Sequence, residues 1–141
     1  MASLAFTNLR VFISEKDHGI YDELTSKSID AAEDAPFTKM PDLFISAACI
    51  GAKNDKYKEL EKKKDIFVAD AFNQTLHPPI LASLAYKYSC DINILSDPRK
   101  ILNICECYAN GGIHILYEEL LSGEGLRPLY RLIDFIKQSN P

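Results

Sequence analysis

The stretch PDLFISAACIGA, from Pro41 to Ala52, decides the fold of this chain. Pro41 suits the first turn of a helix and Asp42 suits the positive end of the helix dipole, so a helix is predicted to begin here. The residues that follow are apolar almost all round that helix, which predicts a central, buried position. Gly51 is expected to end it. The apolar run is about half the ~20 residues that a membrane span needs.

Further helices are predicted on both sides of this stretch. Ser14 followed by Asp17 resembles a capping box and predicts a helix after residue 14. HPPI, residues 77–80, predicts a helix to about Cys90, with an apolar stripe formed by Leu81, Leu84, Ala85 and Tyr88. An N-cap aspartate before proline predicts another start at Asp97-Pro98, with a buried face of Ile101, Leu102, Ile104, Cys105 and Tyr108.

The helical pattern is interrupted at Gly111-Gly112 and resumes from Ile113 until Gly123. A last helix is predicted after the sequence GEG, with core positions at Leu129, Leu132, Ile133 and Ile136. Two short strands are predicted, RVFIS at residues 10–14 and a second at residues 66–68. The second strand can pair either with RVFIS or with the residues around Tyr57 to Leu60.

These elements predict a single compact domain, residues 1–141, that is mainly α. It would contain five or six helices and a small two- or three-stranded β element. Residues 1–9 form an N-terminal segment that can be flexible. The composition, 47% hydrophobic and 26% charged, is ordinary for a globular protein. The four cysteines lie in apolar patterns without a C-x-x-C pair, so a reduced, cytoplasmic protein is expected.

The stretch AKNDKYKELEKKKD, residues 52–65, is expected to form a lysine-rich loop. Its six lysines are Lys53, Lys56, Lys58, Lys62, Lys63 and Lys64. Against three acidic residues they give residues 53–64 a charge of +3, and since the whole chain carries −4, the remainder carries −7. One interpretation is a flexible loop that contacts phosphates, with Tyr57 stacking on a base. We prefer a solvated or protein-contacting loop, because carboxylates interleave and no arginine is present.

No motif with assembled chemistry emerges from the pattern. His18, His77 and His114 lie in separate regions, and Cys105 and Cys107 point about 200° apart on a helix, so no metal or other cofactor is expected. No G-x-S-x-G elbow is present, and no catalytic residue is predicted.

Two weaker patterns were weighed for phosphate chemistry. Asp42 with Glu61-x-Lys63 imitates a metal-dependent nuclease motif, but those groups normally lie on paired strands. Gly111-Gly112 could present N–H groups to a phosphate, but no lysine or serine completes a P-loop. We therefore interpret the glycines as a helix break or as a site of close helix approach.

Several segments, in order, resemble the DNA phosphorothioation (Dnd) system-associated protein 4 family. They are PF at residues 36–37, DLFISAACIGAKN from Asp42, the lysine-rich stretch leading to IF at 66–67, ILASLAYKYSCDINIL from Ile80, and KILNICECYANGGIHIL from Lys100. Together they cover most of residues 10–138, and YANGG, residues 108–112, is the most specific of them.

The resemblance implies an accessory encoded beside bacterial systems that place sulfur in the DNA backbone or restrict DNA lacking it, as a defence against phage. It supplies no catalytic residues. We therefore expect a non-enzymatic accessory or adaptor that contacts protein partners of such a system. The alternative is a DNA-binding or regulatory module that uses the six lysines of the loop.

Overall fold

The computed structural model describes Phe6, residues 8–25, Phe37 and residues 39–121. In chain order the helices and strands are β1 (Arg10–Ser14), α1 (His18–Leu24), α2 (Met40–Lys53), β2 (Lys63–Val68), α3 (His77–Ser89) and α4 (Pro98–Leu121). Short 3-10 turns lie at Glu15–Asp17, Ala69–Ala71 and Ile92–Ser96. The predicted last helix, residues 126–136, lies outside the described residues.

The predicted class is confirmed, since the described part of the chain is mostly helical with a two-stranded antiparallel sheet. It contains four α-helices rather than five or six. Helix α2 begins at Met40 with proline in its first turn, as predicted. Most of its side chains are buried, among them Leu43, Phe44, Ile45, Ala47, Ala48 and Ala52, whereas Asp42 and Lys53 at its two ends are exposed. It runs past Gly51 to Lys53, so the predicted end at Gly51 is wrong.

Glycines allow α2 and α4 to cross with their backbones in contact. A β-carbon at Gly51 would overlap the carbonyl oxygen of Tyr108, and one at Gly112 would overlap that of Ala47. Helix α4 continues through Gly111 and Gly112 without interruption. The close approach is therefore confirmed, and the helix break is wrong. The two helices predicted around these glycines are one, which accounts for part of the lower helix count.

Strand β2 pairs antiparallel with β1, which decides between the two partners left open by the sequence. The register places Ser14 opposite Lys63 and Phe12 opposite Asp65. The other edge of β1 lies against α4, where the Phe12 N–H donates to the Glu106 carboxylate at 2.8 Å. The sheet is thus joined to α4 through β1, and its other strand, β2, contains the end of the lysine-rich stretch.

Helix starts follow the sequence where the cap is local. Helix α4 begins at Pro98, and the Asp97 carboxylate accepts from the Lys100 N–H at 3.2 Å, as predicted. Helix α3 begins at His77, also as predicted. It ends before Cys90, whose φ of 53° stops the helix in the left-handed region.

The predicted cap at Ser14 is wrong, because tertiary partners take both polar side chains. The Ser14 hydroxyl donates to Asn110 Oδ1 at 2.8 Å. The Asp17 carboxylate lies 3.0 Å from the His114 imidazole. A 3-10 turn therefore precedes α1, and both contacts fasten that turn to α4.

Candidate functional site

The six lysines of the lysine-rich stretch are all exposed, on a backbone that changes structure along its length. Lys53 ends α2, and Lys63 and Lys64 belong to β2. Lys56, Lys58 and Lys62 lie on the connection between them. The strand begins three residues earlier than the predicted Ile66, so the loop is shorter than residues 52–65.

Helix α4 and the α2 terminus hold this connection by its backbone. The Lys56 N–H donates to the Gly51 carbonyl at 2.8 Å, and the Lys58 N–H donates to the Cys107 carbonyl at 3.1 Å. The Asn110 amide donates to the carbonyls of Lys58 and Glu59 at 3.2 and 3.1 Å. The loop that the nucleic-acid interpretation treats as flexible is therefore hydrogen-bonded along its backbone over residues 56–59.

The side chain of Tyr57 also holds the connection in place through ring packing. Its ring stacks on Tyr88 with centroids 3.9 Å apart and planes at 9°, and it meets Tyr108 edge-on at 5.2 Å. Burial, together with hydrogen bonds to Cys107 and Tyr88, raises the pKa of the Tyr57 hydroxyl. Because Tyr88 already covers one ring face, Tyr57 is not the free stacking platform that the nucleic-acid interpretation assumed.

Three of the four carboxylates of the stretch, those of Asp55, Glu61 and Asp65, pair with cations from outside it. Asp55 lies 2.9 Å from Lys87, Glu61 lies 3.8 Å from Lys16, and Asp65 lies 3.0 Å from Arg10. None of the six lysines forms an ion pair with another described residue. The interleaved carboxylates therefore do not occupy the lysines, contrary to one reason for preferring a solvated loop.

Arg99 and Lys63 lie near the buried carboxylate of Glu106. Arg99 donates to Glu106 at 3.0 Å and to the Arg10 carbonyl at 2.8 Å. Burial raises the pKa of Glu106, while the Phe12 N–H, Arg99 and Lys63 lower it. Arg99 therefore lies near Lys63, whereas Arg10 contacts the stretch at Asp65.

A buried carboxylate–imidazole pair was missed by the sequence reasoning. Asp17, 2% exposed, pairs with His114 across the contact between the first 3-10 turn and α4. Its second oxygen and the Tyr21 hydroxyl are buried without a hydrogen-bond partner within the described structure. Burial and the nearby Asp17 raise the pKa of Tyr21. The spacing of residues in the sequence could not predict this pair, because Asp17 and His114 lie on separate elements.

The nuclease-like residues have separate partners. Asp42 lies 3.5 Å from His77, at the start of α2, and Glu61 pairs with Lys16. No ion pair or hydrogen bond of the described residues joins Asp42 to Glu61 or Lys63. Asp42 lies on a helix and Glu61 precedes β2, so the two carboxylates do not lie on the paired strands that such a site normally uses.

An exposed apolar face was also missed. The α3–turn face, as we call it, is formed by Ala82, Ser83, Tyr86, Ile92 and Leu95. Ile92 is 66% exposed and Tyr86 46% exposed. The predicted stripe on α3 buries Leu81 and Ala85, whereas Tyr88 is exposed. The sequence indicated the inner stripe of α3 but not the apolar residues on its outer side.

Comparison with known families matches residues 10–140 to the model of the DNA sulphur modification system-associated protein 4 family. The chain belongs to this family. Searches of curated proteins and of solved structures each find no match.

In this family member, the YANGG element lies at the crossing of α2 and α4. Tyr108 and Gly112 contact α2, and a β-carbon at Gly111 would overlap the Lys56 carbonyl of the lysine-rich stretch. The most specific element of the resemblance is therefore a packing element, and it lies against the Lys56 backbone of the lysine-rich stretch.

The cysteines of this family member differ in exposure. Cys105 is buried, Cys107 is half-buried and Cys90 is exposed. Burial raises the pKa of Cys105. Over the described ranges, no group of three His, Cys, Asp or Glu side chains could hold a metal ion. None of the helices described here is long and apolar enough to cross a membrane.

Proposed function

We propose that this protein is a non-enzymatic accessory or adaptor of a bacterial DNA phosphorothioation-linked modification or restriction system, acting in anti-phage defence through protein–protein contacts. Membership of the family supports the setting. The observation that carries the proposed mode of action is the α3–turn face, an exposed apolar surface on a domain whose core is otherwise well buried.

The α3–turn face has the chemistry of a protein contact. Ile92 projects from the 3-10 turn beside Tyr86, so an apolar anchor lies next to a ring with a polar tip. Burying an isoleucine side chain contributes about 1.5–3 kcal/mol. Aromatic residues with one wet end are enriched where proteins meet. A partner that covers these two side chains would remove from water the most exposed apolar group of the face.

Co-purification tests this proposal. The tagged protein is recovered from a host that carries the modification system, after nuclease digestion. We expect a protein of that system with the wild type, and loss of that protein with Ile92→Asp. Leu76→Asp is the matched control, because Leu76 is 61% exposed but lies before the start of α3, away from the face. Recovery of no system protein with the wild type would overturn the proposal.

Direct DNA contact is the second candidate function, and one observation favours it. Three of the four carboxylates of the lysine-rich stretch pair with Lys87, Lys16 and Arg10, and the six lysines are exposed without an ion pair to any described residue. Lysines in this state contact phosphates without sequence preference, and binding weakens steeply with salt.

Fluorescence anisotropy with duplex DNA, with and without phosphorothioate linkages, tests the second candidate. Changing Lys62, Lys63 and Lys64 to Glu should abolish binding. The control changes Lys39, Lys100 and Lys137 to Glu, which alters the net charge equally but outside the stretch. Absence of binding by the wild type at low salt, or equal loss in both variants, would exclude contact through the stretch.

A further inference from the structure

Strand β2 forms the side of the sheet that α4 does not cover. Strand β1 lies between β2 and α4, and α4 satisfies its outer edge, where the Phe12 N–H donates to Glu106 and the Arg10 carbonyl accepts from Arg99, both at 2.8 Å. No such bond reaches the outer edge of β2 from any other described residue. With respect to the part of the chain that the structure describes, its backbone groups are therefore available for pairing.

Hydrogen bonds at the end of the sheet show which β2 residues face outward. The Glu15 N–H donates to the Lys62 carbonyl at 2.6 Å, so Lys62 faces β1. Facing residues in an antiparallel pair alternate between hydrogen-bonded and non-hydrogen-bonded pairs. The backbones of Lys63 and Asp65 therefore point away from β1. The Phe12 N–H, opposite Asp65, agrees with this alternation because it points to α4 instead.

The side chains at this edge are strongly basic. Lys62, Lys63 and Lys64 are consecutive, so in an extended backbone they alternate between the two faces of the sheet. All three are exposed. The nearby carboxylate of Asp65 is paired with Arg10 at 3.0 Å. An added strand would meet positive charge on both of its faces.

We propose that the outer edge of β2 binds an extended acidic segment of a partner protein by β-strand addition. The main chain of that segment would pair with the N–H and C=O groups of Lys63 and Asp65, and its carboxylates would meet Lys62, Lys63 and Lys64. A strand fits better than DNA, because phosphates offer only acceptors and leave the outward carbonyls without donors. The inference rests on the proposed function for the existence of a protein partner.

The probe is a fluorescein-labelled octapeptide of glutamate, which presents carboxylates on both faces of an extended strand and is titrated with the purified full chain. We expect it to bind, and to bind at least about tenfold more weakly when every residue is N-methylated, since one or two lost hydrogen bonds suffice for that change. N-methylation preserves the charge and removes the donors. Equal binding of both peptides, or tighter binding of an eight-nucleotide oligothymidylate, would show a purely electrostatic surface and overturn the proposal.

Asp65→Pro tests the edge from the protein side. It removes an outward N–H and none of the bonds to β1, a position where strands tolerate proline. We expect at least about tenfold weaker peptide binding. Asp65→Ala, which also loses the Arg10 pair, should bind at least as tightly as the wild type. Equal binding by the two variants would overturn the proposal.

Amide hydrogen exchange keeps the test decisive if Asp65→Pro fails to fold. In the wild-type protein the peptide should slow exchange at Lys63 and Asp65, and unchanged exchange at both would overturn strand addition. Because this assay uses purified protein and a synthetic peptide, its failure leaves the co-purification result standing. Failure of co-purification likewise leaves the peptide result interpretable.

Discussion

His77 is a buried ring whose protonation the fold opposes. Its Nδ1 accepts from the Asn73 N–H at 3.1 Å, and its ring lies edge-on to Phe72. Burial lowers the pKa of His77, and the Asp42 carboxylate, 3.5 Å from Nε2, offsets part of this. A proton on Nδ1 would place two donors against each other. The folded state therefore holds the neutral ring.

Acidification should remove the stability that His77 contributes. Because its folded pKa lies below the unfolded value of about 6.5, the contribution is present above about pH 6.5 and is lost as pH falls through the folded pKa. Urea unfolding between about pH 8 and about pH 5 measures this loss. His77→Asn, whose side-chain oxygen can keep the Asn73 bond, should lose less. Parallel pH profiles for the two proteins would contradict this assignment.

Residue-level predictions succeeded where the partner is local in sequence. The Asp97 cap bonds three residues ahead, so its pattern is readable. Ser14 and Asp17 showed the same kind of pattern, but their side chains bond Asn110 and His114 on another helix. No spacing encodes such partners, because only the folded arrangement brings them together.

Helix crossing depends on two glycines whose replacement should be costly. In Gly51→Ala and Gly112→Ala, the new methyl group meets a backbone carbonyl of the other helix. Since backbone cannot swing aside, we expect each variant to lose about 2–4 kcal/mol of unfolding free energy. Urea denaturation monitored by circular dichroism measures the change.

Gly19→Ala is the matched control, because nothing lies within 4 Å of a β-carbon at this helical position. Alanine there should be neutral or stabilise by up to about 1 kcal/mol, since it favours helix more than glycine does. Equal losses in all three variants would mean that helix propensity, rather than the crossing, determines the effect.

Asn110 should determine how well the lysine-rich stretch is held. Asn110→Ala removes the donors to the Lys58 and Glu59 carbonyls, a loss of about 1–2 kcal/mol. Local opening should then become about tenfold more frequent, and trypsin should cleave after Lys58 and Lys62 correspondingly faster. Asn103→Ala, which only loses a bond from Arg99, is the control. Rapid cleavage of the wild type at these lysines would instead support the flexible loop of the nucleic-acid interpretation.

Helices and strands could be predicted from the sequence except where contacts with other elements determine where a helix ends or which strands pair. The apolar run from Leu43 indicated the central helix correctly. A glycine pair reads equally well as a break or as a contact site, and only the neighbouring helix explains why α4 continues. The choice of strand partner likewise required the whole fold, since β1 and β2 are separated by two helices.

At the scale of the whole molecule, charge and apolar surface are distributed unevenly. A chain of net charge −4 exposes the six lysines of its lysine-rich stretch, and Arg10 contacts this stretch through Asp65. The α3–turn face lies on different elements. The basic stretch was visible in the sequence, but its fixed backbone and its outward-paired carboxylates were not, because both depend on α4 and on cations distant in sequence.

Isothermal titration calorimetry tests the adaptor proposal most directly, using the purified protein and the system protein recovered with it, both free of DNA. We expect saturable binding with a negative heat-capacity change, because the complex buries apolar surface. Ile92→Asp should weaken binding at least about tenfold, since it removes more than about 1.4 kcal/mol of apolar burial, and Leu76→Asp should leave it unchanged. Formation of the complex only in the presence of DNA would contradict the adaptor proposal. Equally tight binding of the partner by Ile92→Asp and the wild type would also contradict it.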